Sequence, residues 1–358
     1  MIITDVKCYG LKQPIEKPFR WRNGLPGSGT EREVGVIRIM TDEGIDGIAV
    51  TQRGRMTVDY FERRLKALLI GQDPLLKEKL WRDIWEIDRI EELQIMYMGM
   101  IDVALWDITA KKANMPLYQL IGGNSDKVRA YASTVTYDTT EQFLHVADAC
   151  LDRGIRAIKL HAWGDARLDA KLCQDLRRHV GDDITLMYDG SAGFDLRDAT
   201  YLGKALQEAN YYWYEEPMRE FNIWNYKKLC DELDIPVLAA ETSDGCHYNA
   251  ADFIVQGACD MIRTGTFLKG GITGALRIAH LADGFGMKAE IHAGDWANVH
   301  LACAIPNNTF FEVLVSDLDP VSFWQPVDAE GFIAPPSVPG IGYAFDWEML
   351  ERTAYCKC

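Results

Sequence analysis

Three acidic residues recur at an equal interval along the middle of the chain, each directly after a short apolar segment. Asp189 follows "ITLMY", Glu215 follows "YYWY" and Glu241 follows "PVLAA", with 26 residues from each to the next. Taken singly, such a carboxylate caps a helix or forms a surface ion pair. Three carboxylates meeting at one point need an opposing charge to stay ionised. A hard divalent cation supplies it, and Mg²⁺ fits because it keeps positions for water and substrate oxygens.

Four further polar residues stand at the ends of similar segments and are the candidate catalytic residues. Lys159 and His161 end "IRAIKLH", His292 ends "MKAEIH", and Glu312 lies in "TFFEV". Each has a structural alternative, since an isolated lysine is usually solvated and an isolated histidine is often a satisfied core residue. Two carboxylates beside the key residues, Glu216 and Glu290, are expected to point the other way because side chains alternate along a strand.

The elements that would position these residues form a repeating pattern from about Val128 onward. Short β-branched segments alternate with amphipathic helical segments, which predicts parallel strands joined by helices. The predicted strands are "VRAYAST", "IRAIKLH", "ITLMYD", "YYWYEE", "PVLAAE", "CDMIR", "MKAEIH" and "TFFEV". Eight strands suggest a TIM-type barrel, whose active site lies at the carboxyl ends of the strands.

A different organisation precedes the barrel and another follows it. Residues 1–125 combine strand-like segments, such as "REVGVIRIMTDEGIDGIAV", with three amphipathic helices, which predicts an α+β capping domain. We assign 126–327 to the barrel. The Pro/Gly-rich tail, 328–358, is too short for a core of its own and is expected to pack on the capping domain.

Composition excludes several classes of function. The net charge of −15 disfavours a nucleic-acid partner, because phosphate binding requires basic patches. No segment approaches a membrane span, and the first residues lack the pattern of a secretory signal. The nine scattered cysteines form no metal-type CxxC pair and favour reduced thiols. We therefore expect a cytoplasmic protein that acts on a small molecule.

Two motifs carry a resemblance to the enolase superfamily, in its mandelate racemase/muconate lactonizing enzyme branch. They are "MGMIDVALWDITAKKANMPLYQLIGG" at the domain junction and "YWYEEP" around Glu215. The resemblance covers essentially the whole chain. It implies a modified (β/α)7β barrel with an N-terminal cap, one Mg²⁺ per subunit on Asp189, Glu215 and Glu241, and a homo-oligomer. It also implies removal of the proton α to a substrate carboxylate, with Mg²⁺ stabilising the enediolate.

Two positions depart from the pattern that the resemblance implies. Strand two of related racemases commonly carries Lys-x-Lys, whereas this chain has Lys159-Leu160-His161. The strand-six position, where an aspartate would orient the strand-seven histidine, falls on Gly265 in "MIRTGTFLKGG". His292 therefore lacks its expected partner. Asp260 and Asp295 are conceivable substitutes.

These departures favour dehydration of a sugar acid to a 2-keto-3-deoxy acid. Proton transfer on both faces of a carbon requires two competent bases, and His292 is better suited to protonate a leaving hydroxide. The proton would be removed by Lys159 or by His161; the sequence leaves this choice open. Glu312 is expected to contact the substrate carboxylate. The alternatives are a racemase, an epimerase or a lactone cycloisomerase, and, in another class, a non-catalytic metal-binding barrel.

Four arginines lie in segments that match the mobile, substrate-covering loops of the family, near residues 15–30 and 51–57. They are Arg20 and Arg22 in "PFRWRNG" and Arg53 and Arg55 in "TQRGRM". A guanidinium forks onto carboxylate oxygens, so we expect these residues to bind a polyhydroxylated or dicarboxylate ligand.

Overall fold

The N-terminal part is built on an antiparallel sheet. The structure, a computed structural model, describes residues 1–92, 95–318 and 321–358. Strands β1 (Ile3–Pro14), β2 (Glu31–Thr41) and β3 (Gly47–Gln52) pair in sequence order. The turn at Asp42-Glu43-Gly44 joins β2 to β3, as the sequence predicts, with Gly44 in the left-handed conformation that such a turn favours.

Helices cover one face of this sheet. The three amphipathic segments form α1 (Gly54–Tyr60), which continues through a π-helical turn (Phe61–Leu65) into α2 (Lys66–Leu69), then α3 (Lys77–Glu91) and α4 (Ile95–Lys112). A single turn, α5 (Leu117–Leu120), follows. Helix α4 is buried along most of its length because it lies between the sheet and the rest of the molecule.

Eight parallel strands form a closed barrel, as predicted. In order they are β4 (Val128–Thr134), β5 (Ala157–His161), β6 (Thr185–Asp189), β7 (Tyr214–Glu215), β8 (Val237–Ala239), β9 (Met261–Thr264), β10 (Lys288–Ile291) and β11 (Phe311–Val315). Strand β11 pairs with β4 and closes the barrel. The register sets His161 opposite Asp189, and Asp189 opposite Glu215.

Seven helices connect the strands on the outside. They are α6 (Thr140–Asp152), α7 (Ala166–Val180), α8 (Leu196–Glu208), α9 (Ile223–Glu232), α10 (Cys246–Gln256), α11 (Gly271–Gly284) and α12 (Trp296–Ala304). Five begin after a short polar residue whose side chain accepts backbone hydrogen bonds: Thr139, Asp165, Asp195, Asn222 and Asp295. Among the described residues, the next helix after β11 lies in the tail, which confirms the (β/α)7β architecture.

The tail contacts both parts of the molecule. Strand β12 (Phe332–Ile333) pairs with β4, whereas β13 (Cys356–Lys357), after helix α13 (Trp347–Thr353), pairs with β1. The backbone N–H of Ile341 donates to Asp107 on α4 at 2.8 Å. Across the described residues, no helix combines the length and the apolarity needed to cross a bilayer.

Helix α4 joins the cap to the barrel through the start of α11. Asp102 accepts hydrogen bonds from the backbone N–H and the hydroxyl of Thr273, at 2.8 and 2.6 Å. At Gly99, an added Cβ would lie 2.6 Å from the Thr266 carbonyl oxygen and 2.7 Å from the Gly271 nitrogen, so only glycine permits this approach. The junction thereby holds the cap over the carboxyl ends of the strands.

Candidate active site

The three equally spaced carboxylates converge at the carboxyl ends of adjacent strands. Asp189 ends β6, Glu215 ends β7 and Glu241 lies two residues beyond β8. One oxygen from each lies within 4.8 Å of the others. Asp189 and Glu215 are buried, and the Glu241 side chain is 14% exposed. The structure therefore brings together the three residues that the spacing singled out.

The backbone beside each carboxylate adopts an unusual conformation. Ser191, Glu216 and Ala240 have φ values of 45°, 37° and 69°, a region that residues other than glycine rarely occupy. Such strain clusters at functional sites. It also explains a wrong prediction: Glu216 does not face away but lines the same cavity, where it accepts a 2.8 Å hydrogen bond from Thr242. Glu290, by contrast, does not line this cavity. It accepts the backbone N–H groups of Thr309 and Phe310, which directly precede β11.

A carboxylate that the sequence did not single out supports Glu241. Glu220 is buried, and its oxygens accept backbone N–H groups from Ala240, from Glu241 at 3.1 Å and from Ser243 at 2.6 Å. These bonds hold the turn that carries Glu241. No periodicity marks Glu220 in the sequence, because its role depends on contact with a different loop.

The donor set fits a hard divalent cation. Glu215 Oε1 lies 2.6 Å from Arg263 Nε but accepts no hydrogen bond from any described residue. This oxygen therefore keeps a lone pair for a cation. Burial, only partly offset by Arg263 and Lys159, raises the pKa of Glu215 to about 8. A cation at this point would favour the ionised form. Asp189, Glu215 and Glu241 are the residues that would hold it.

Lys159 lies in the floor of the site, surrounded by carboxylates. Its Nζ is 2.8 Å from Glu215 Oε2, 2.9 Å from Glu312 Oε1 and 3.2 Å from Asp189 Oδ2, and its side chain is 1% exposed. Burial alone would lower the pKa of Lys159, but the surrounding carboxylates outweigh it and raise the pKa well above its ordinary value. In this arrangement Lys159 is an ammonium group that balances negative charge.

His161 is held with one ring nitrogen directed at the carboxylates. Its Nδ1 lies 2.6 Å from the carbonyl oxygen of Thr134, and its Nε2 lies 3.0 Å from Asp189 Oδ2. A carbonyl oxygen only accepts, so Nδ1 carries a proton. An ionised Asp189 oxygen also only accepts, so Nε2 donates to it when the ring is protonated and carries the lone pair when the ring is neutral. The indole of Trp21, from the cap, lies over this imidazole with ring centroids 4.6 Å apart. His161 is thus oriented and covered.

Glu312 and His292 complete the site on its other side. Glu312 Oε2 accepts a 3.0 Å hydrogen bond from Arg263 Nη2 and a 3.1 Å bond from the Ala293 N–H. Burial raises the pKa of Glu312, but Lys159 and Arg263 outweigh it and hold the pKa well below its ordinary value. His292 Nε2 lies 3.1 Å from Glu241 Oε1, and its side chain is 34% exposed to the cavity.

The site opens into a cavity of about 1000 Å³ between the barrel and the cap. Arg53 lines this cavity. Arg20 instead pairs with Asp138 at 3.2 Å, and Arg55 lies over the Tyr355 ring, 5.2 Å from its centroid. A substrate contact for Arg20 and Arg55 stays a prediction.

The fourth of these arginines anchors the covering loop. Arg22 donates to the carbonyl oxygen of Ser191 at 3.0 Å, two residues after the Asp189 carboxylate. The backbone N–H of Asn23 donates to the Trp163 carbonyl oxygen at 3.1 Å. The loop is therefore docked on the barrel, and a substrate contact for Arg22 also stays a prediction. Sequence reasoning missed Arg219, a further cation that lines the cavity.

Comparison with known proteins decides the family. Residues 142–349 match the model of the enolase C-terminal domain-like family, and residues 14–122 match the mandelate racemase/muconate lactonizing enzyme N-terminal domain. The chain belongs to the enolase superfamily. Members of this superfamily are enzymes, and the resemblance seen in the two sequence motifs is confirmed.

Several similar proteins match this chain over more than four fifths of their own length. A crystal structure of D-glucarate dehydratase from Agrobacterium tumefaciens complexed with magnesium is 34% identical, covers 99% of this chain and 100% of its own, and has a TM-score of 0.89. Arabinonate dehydratase of Saccharolobus solfataricus is 27% identical over 81% of this chain and 82% of its own. A 3,6-anhydro-alpha-L-galactonate cycloisomerase of Streptomyces coelicolor is 25% identical over 95% and 96%.

The strand-six position, where related enzymes would carry the orienting aspartate, is Gly265, and it lies beside His292 as the sequence predicts. Gly265 follows β9, and a Cβ added there would lie 3.4 Å from His292 Cβ. The substitutes considered for the missing aspartate do not reach His292. Asp260 accepts the Val237 N–H at 2.9 Å, and Asp295 caps α12 and accepts a hydrogen bond from the Tyr343 hydroxyl.

Proposed function

We propose that this enolase-superfamily enzyme carries out the Mg²⁺-dependent dehydration of a sugar acid to a 2-keto-3-deoxy acid. The observation that carries the proposal is the difference in how the rings of His161 and His292 are oriented. His161 is oriented by the Thr134 carbonyl and covered by Trp21, whereas His292 has a glycine where an orienting carboxylate would stand. One oriented base and one less constrained acid suit elimination better than proton transfer on both faces.

His161 is assigned as the base that removes the proton from C2, the carbon α to the carboxylate. Its Nδ1 proton is fixed on the Thr134 carbonyl oxygen, so the neutral ring has its lone pair on Nε2, the nitrogen that lies at the carboxylate triad, 3.0 Å from Asp189 Oδ2. Lys159 is less suited, because three carboxylates hold it as an ammonium ion. We assign Lys159 to balancing the charge of these carboxylates. Bound Mg²⁺ would stabilise the negative charge that develops on the substrate carboxylate as the proton leaves.

His292 is assigned as the acid that protonates the departing C3 hydroxyl. Burial lowers the pKa of His292, but Glu241 and its hydrogen bond outweigh this and raise the pKa above the ordinary value, which favours the protonated ring. Its exposure to the cavity lets it reach a substrate group. Trp21 and the docked cap loop cover the site on the side of His161, and such covering loops exclude water from the reaction.

The substrate class follows from the cavity and from the relatives. Arg53 and Arg219 line the cavity, where their guanidinium groups suit hydroxyl or carboxylate oxygens of an extended acid. The similar proteins include dehydratases of D-glucarate and of arabinonate, which are acids of six and five carbons. We therefore propose an acyclic sugar acid of five or six carbons.

The test is a panel of C5 and C6 aldonic and aldaric acids, D-glucarate and arabinonate included, incubated with the enzyme and Mg²⁺. We expect a 2-keto-3-deoxy product from at least one acid, abolished in Glu215→Gln. The matched control Glu232→Gln, an exposed carboxylate on α9 paired with Lys204, should retain full activity. Absence of both keto product and C2 exchange with solvent across the panel would overturn the proposal.

Two other outcomes correspond to the alternatives. Exchange at C2 without a keto product would indicate an epimerase, and conversion of an anhydro acid or a lactone would indicate a cycloisomerase, the activity named for the Streptomyces coelicolor relative. A non-catalytic barrel is disfavoured because Lys159, His161, His292 and Glu312 all surround the metal-type carboxylates.

A further inference from the structure

Arg263 is a fully buried arginine at the centre of the barrel mouth. It lies on β9 and is 0% exposed. Its Nη2 donates to Glu312 Oε2 at 3.0 Å and to the Tyr131 hydroxyl at 2.7 Å, and its Nε lies 2.6 Å from Glu215 Oε1. A buried arginine must find acceptors or opposite charges for its N–H groups, and here two of its partners are candidate active-site carboxylates.

Arg263 and Lys159 share the same two carboxylates, one oxygen each. Lys159 contacts Oε2 of Glu215 and Oε1 of Glu312, whereas Arg263 contacts Oε1 of Glu215 and Oε2 of Glu312. The four side chains thus form a closed ring of alternating charge across the barrel. Strand β9 is two strands away from both β7 and β11, so one planar guanidinium reaches a carboxylate on either side.

Arg263 supplies one of the two buried cations that contact the carboxylates of the site. Lys159 contacts Asp189, Glu215 and Glu312. Arg263 contacts Glu215 and Glu312 and also lies 3.7 Å from Glu241. Without Arg263, Glu215 and Glu312 would each lose one of these two cationic partners, which is costly in a site of this burial.

We propose that Arg263 is a positioning residue that fixes Glu215 as a metal ligand and Glu312 as a substrate-side carboxylate at the same time. With Lys159 it clamps both oxygens of each carboxylate, so neither side chain rotates without breaking an ion pair. The ring therefore couples the metal site to the substrate site. The substrate half of this inference rests on the function proposed above, whereas the metal half does not.

The first experiment measures Mg²⁺ binding by calorimetry to the metal-free protein, without substrate. We expect Arg263→Gln to weaken Mg²⁺ binding about 10-fold or more, the usual effect of removing a group that orients a metal ligand. Arg263→Lys keeps the charge but reaches one carboxylate at a time, so it should recover part of the affinity. Unchanged or tighter Mg²⁺ binding in Arg263→Gln would overturn the proposal.

A matched control separates positioning from mere loss of a buried arginine. Arg177 is also buried, but its guanidinium donates to backbone carbonyls, those of Ala209, Gly181, Ile184 and Asn210. Arg177→Gln should lower the melting temperature and leave the Mg²⁺ dissociation constant unchanged. An equal loss of Mg²⁺ affinity in Arg177→Gln would show a general structural effect and contradict the proposal.

The second readout concerns Glu312 and uses saturating Mg²⁺. If Arg263 only strengthened metal binding, excess Mg²⁺ would restore kcat in Arg263→Lys; the clamp predicts that kcat stays reduced at least about 10-fold. Should Arg263→Gln fail to fold, Tyr131→Phe removes the 2.7 Å acceptor of Nη2 and should weaken Mg²⁺ binding in the same direction. If no acid in the panel reacts, the proposed function is wrong. The Mg²⁺ binding measurement still tests the role of Arg263 at the metal site, because it uses no substrate.

Discussion

Gly265 and His292 face each other across the ends of adjacent strands, with only van der Waals distance between them. A Cβ built on Gly265 would be 3.4 Å from His292 Cβ, and a cavity of about 10 Å³, room for about one water molecule, adjoins both residues. Among the described residues, the His292 ring forms an ion-pair contact with Glu241, itself a candidate metal ligand. This contact holds the His292 ring on the side of the three carboxylates.

Restoring a carboxylate at position 265 should change the balance between reactions. In Gly265→Asp the new side chain would orient His292 and strengthen it as a base. We expect epimerisation at C2 to rise about 10-fold relative to elimination, measured by NMR of the recovered acid and by keto-acid formation. Gly265→Ala, which adds the Cβ without the carboxylate, is the control. An equal change in both variants would mean that the position acts through packing.

Metal binding should stabilise the fold through the triad. A ligand that binds only the native state adds about 2.7 kcal/mol to the free energy of unfolding at 100 times its dissociation constant. We expect Mg²⁺ to raise the melting temperature of the wild-type protein, EDTA to reverse the change, and Glu241→Gln to abolish it. Glu232→Gln should behave as wild type. A Mg²⁺-induced shift that persists in Glu241→Gln would place the ion elsewhere.

His300 is expected to make stability depend on pH. Its Nδ1 accepts the Tyr118 N–H at 3.1 Å and its Nε2 donates to the Ile341 carbonyl oxygen at 3.1 Å, so the ring is neutral. Burial lowers the pKa of His300 to about 4. The unfolded chain binds the proton near pH 6.5, so stability is present above that pH and is lost as the pH falls toward 4. The loss should amount to about 3 kcal/mol.

The measurement is urea unfolding between pH 4.5 and 7.5 in the wild-type protein and in His300→Gln, whose amide can accept and donate in the same places. The difference in free energy between the two should shrink as the pH falls. His280→Gln, at an exposed position of α11, serves as the control. A difference that is constant with pH would contradict the assignment of His300 as a neutral, doubly bonded ring.

The sequence sufficed for the parts of the structure that depend on local pattern. All eight barrel strands contain or overlap their predicted segments, because parallel buried strands leave continuous apolar runs that end in polar residues. One strand–helix repeat separates Asp189 from Glu215, and another separates Glu215 from Glu241. The sequence spacing therefore predicted that the three carboxylates converge. The limits proposed for the three regions, the cytoplasmic location and the homo-oligomer stay predictions.

What the sequence did not reveal depends on contacts between distant segments. The sequence assigned no role to Arg263 in the predicted sixth strand. Its contacts with Glu215 and Glu312 arise only when the barrel closes and brings the strands together. The orientation of His161 is set by a backbone carbonyl, that of Thr134, which no residue type encodes. The four cap arginines looked equivalent, and the path of the loops separates Arg53 from the others.

The central claim is that His161 removes the C2 proton and His292 assists departure of the C3 hydroxyl. One NMR experiment in D₂O, with Mg²⁺ and the best substrate of the panel, tests it by following C2 exchange and keto-acid formation in the wild-type protein, His161→Asn and His292→Asn. We predict that His161→Asn loses both reactions by about 10²-fold or more, whereas His292→Asn loses keto-acid formation and keeps C2 exchange. Wild-type exchange in His161→Asn, or an equal loss of both reactions in His292→Asn, would contradict the claim.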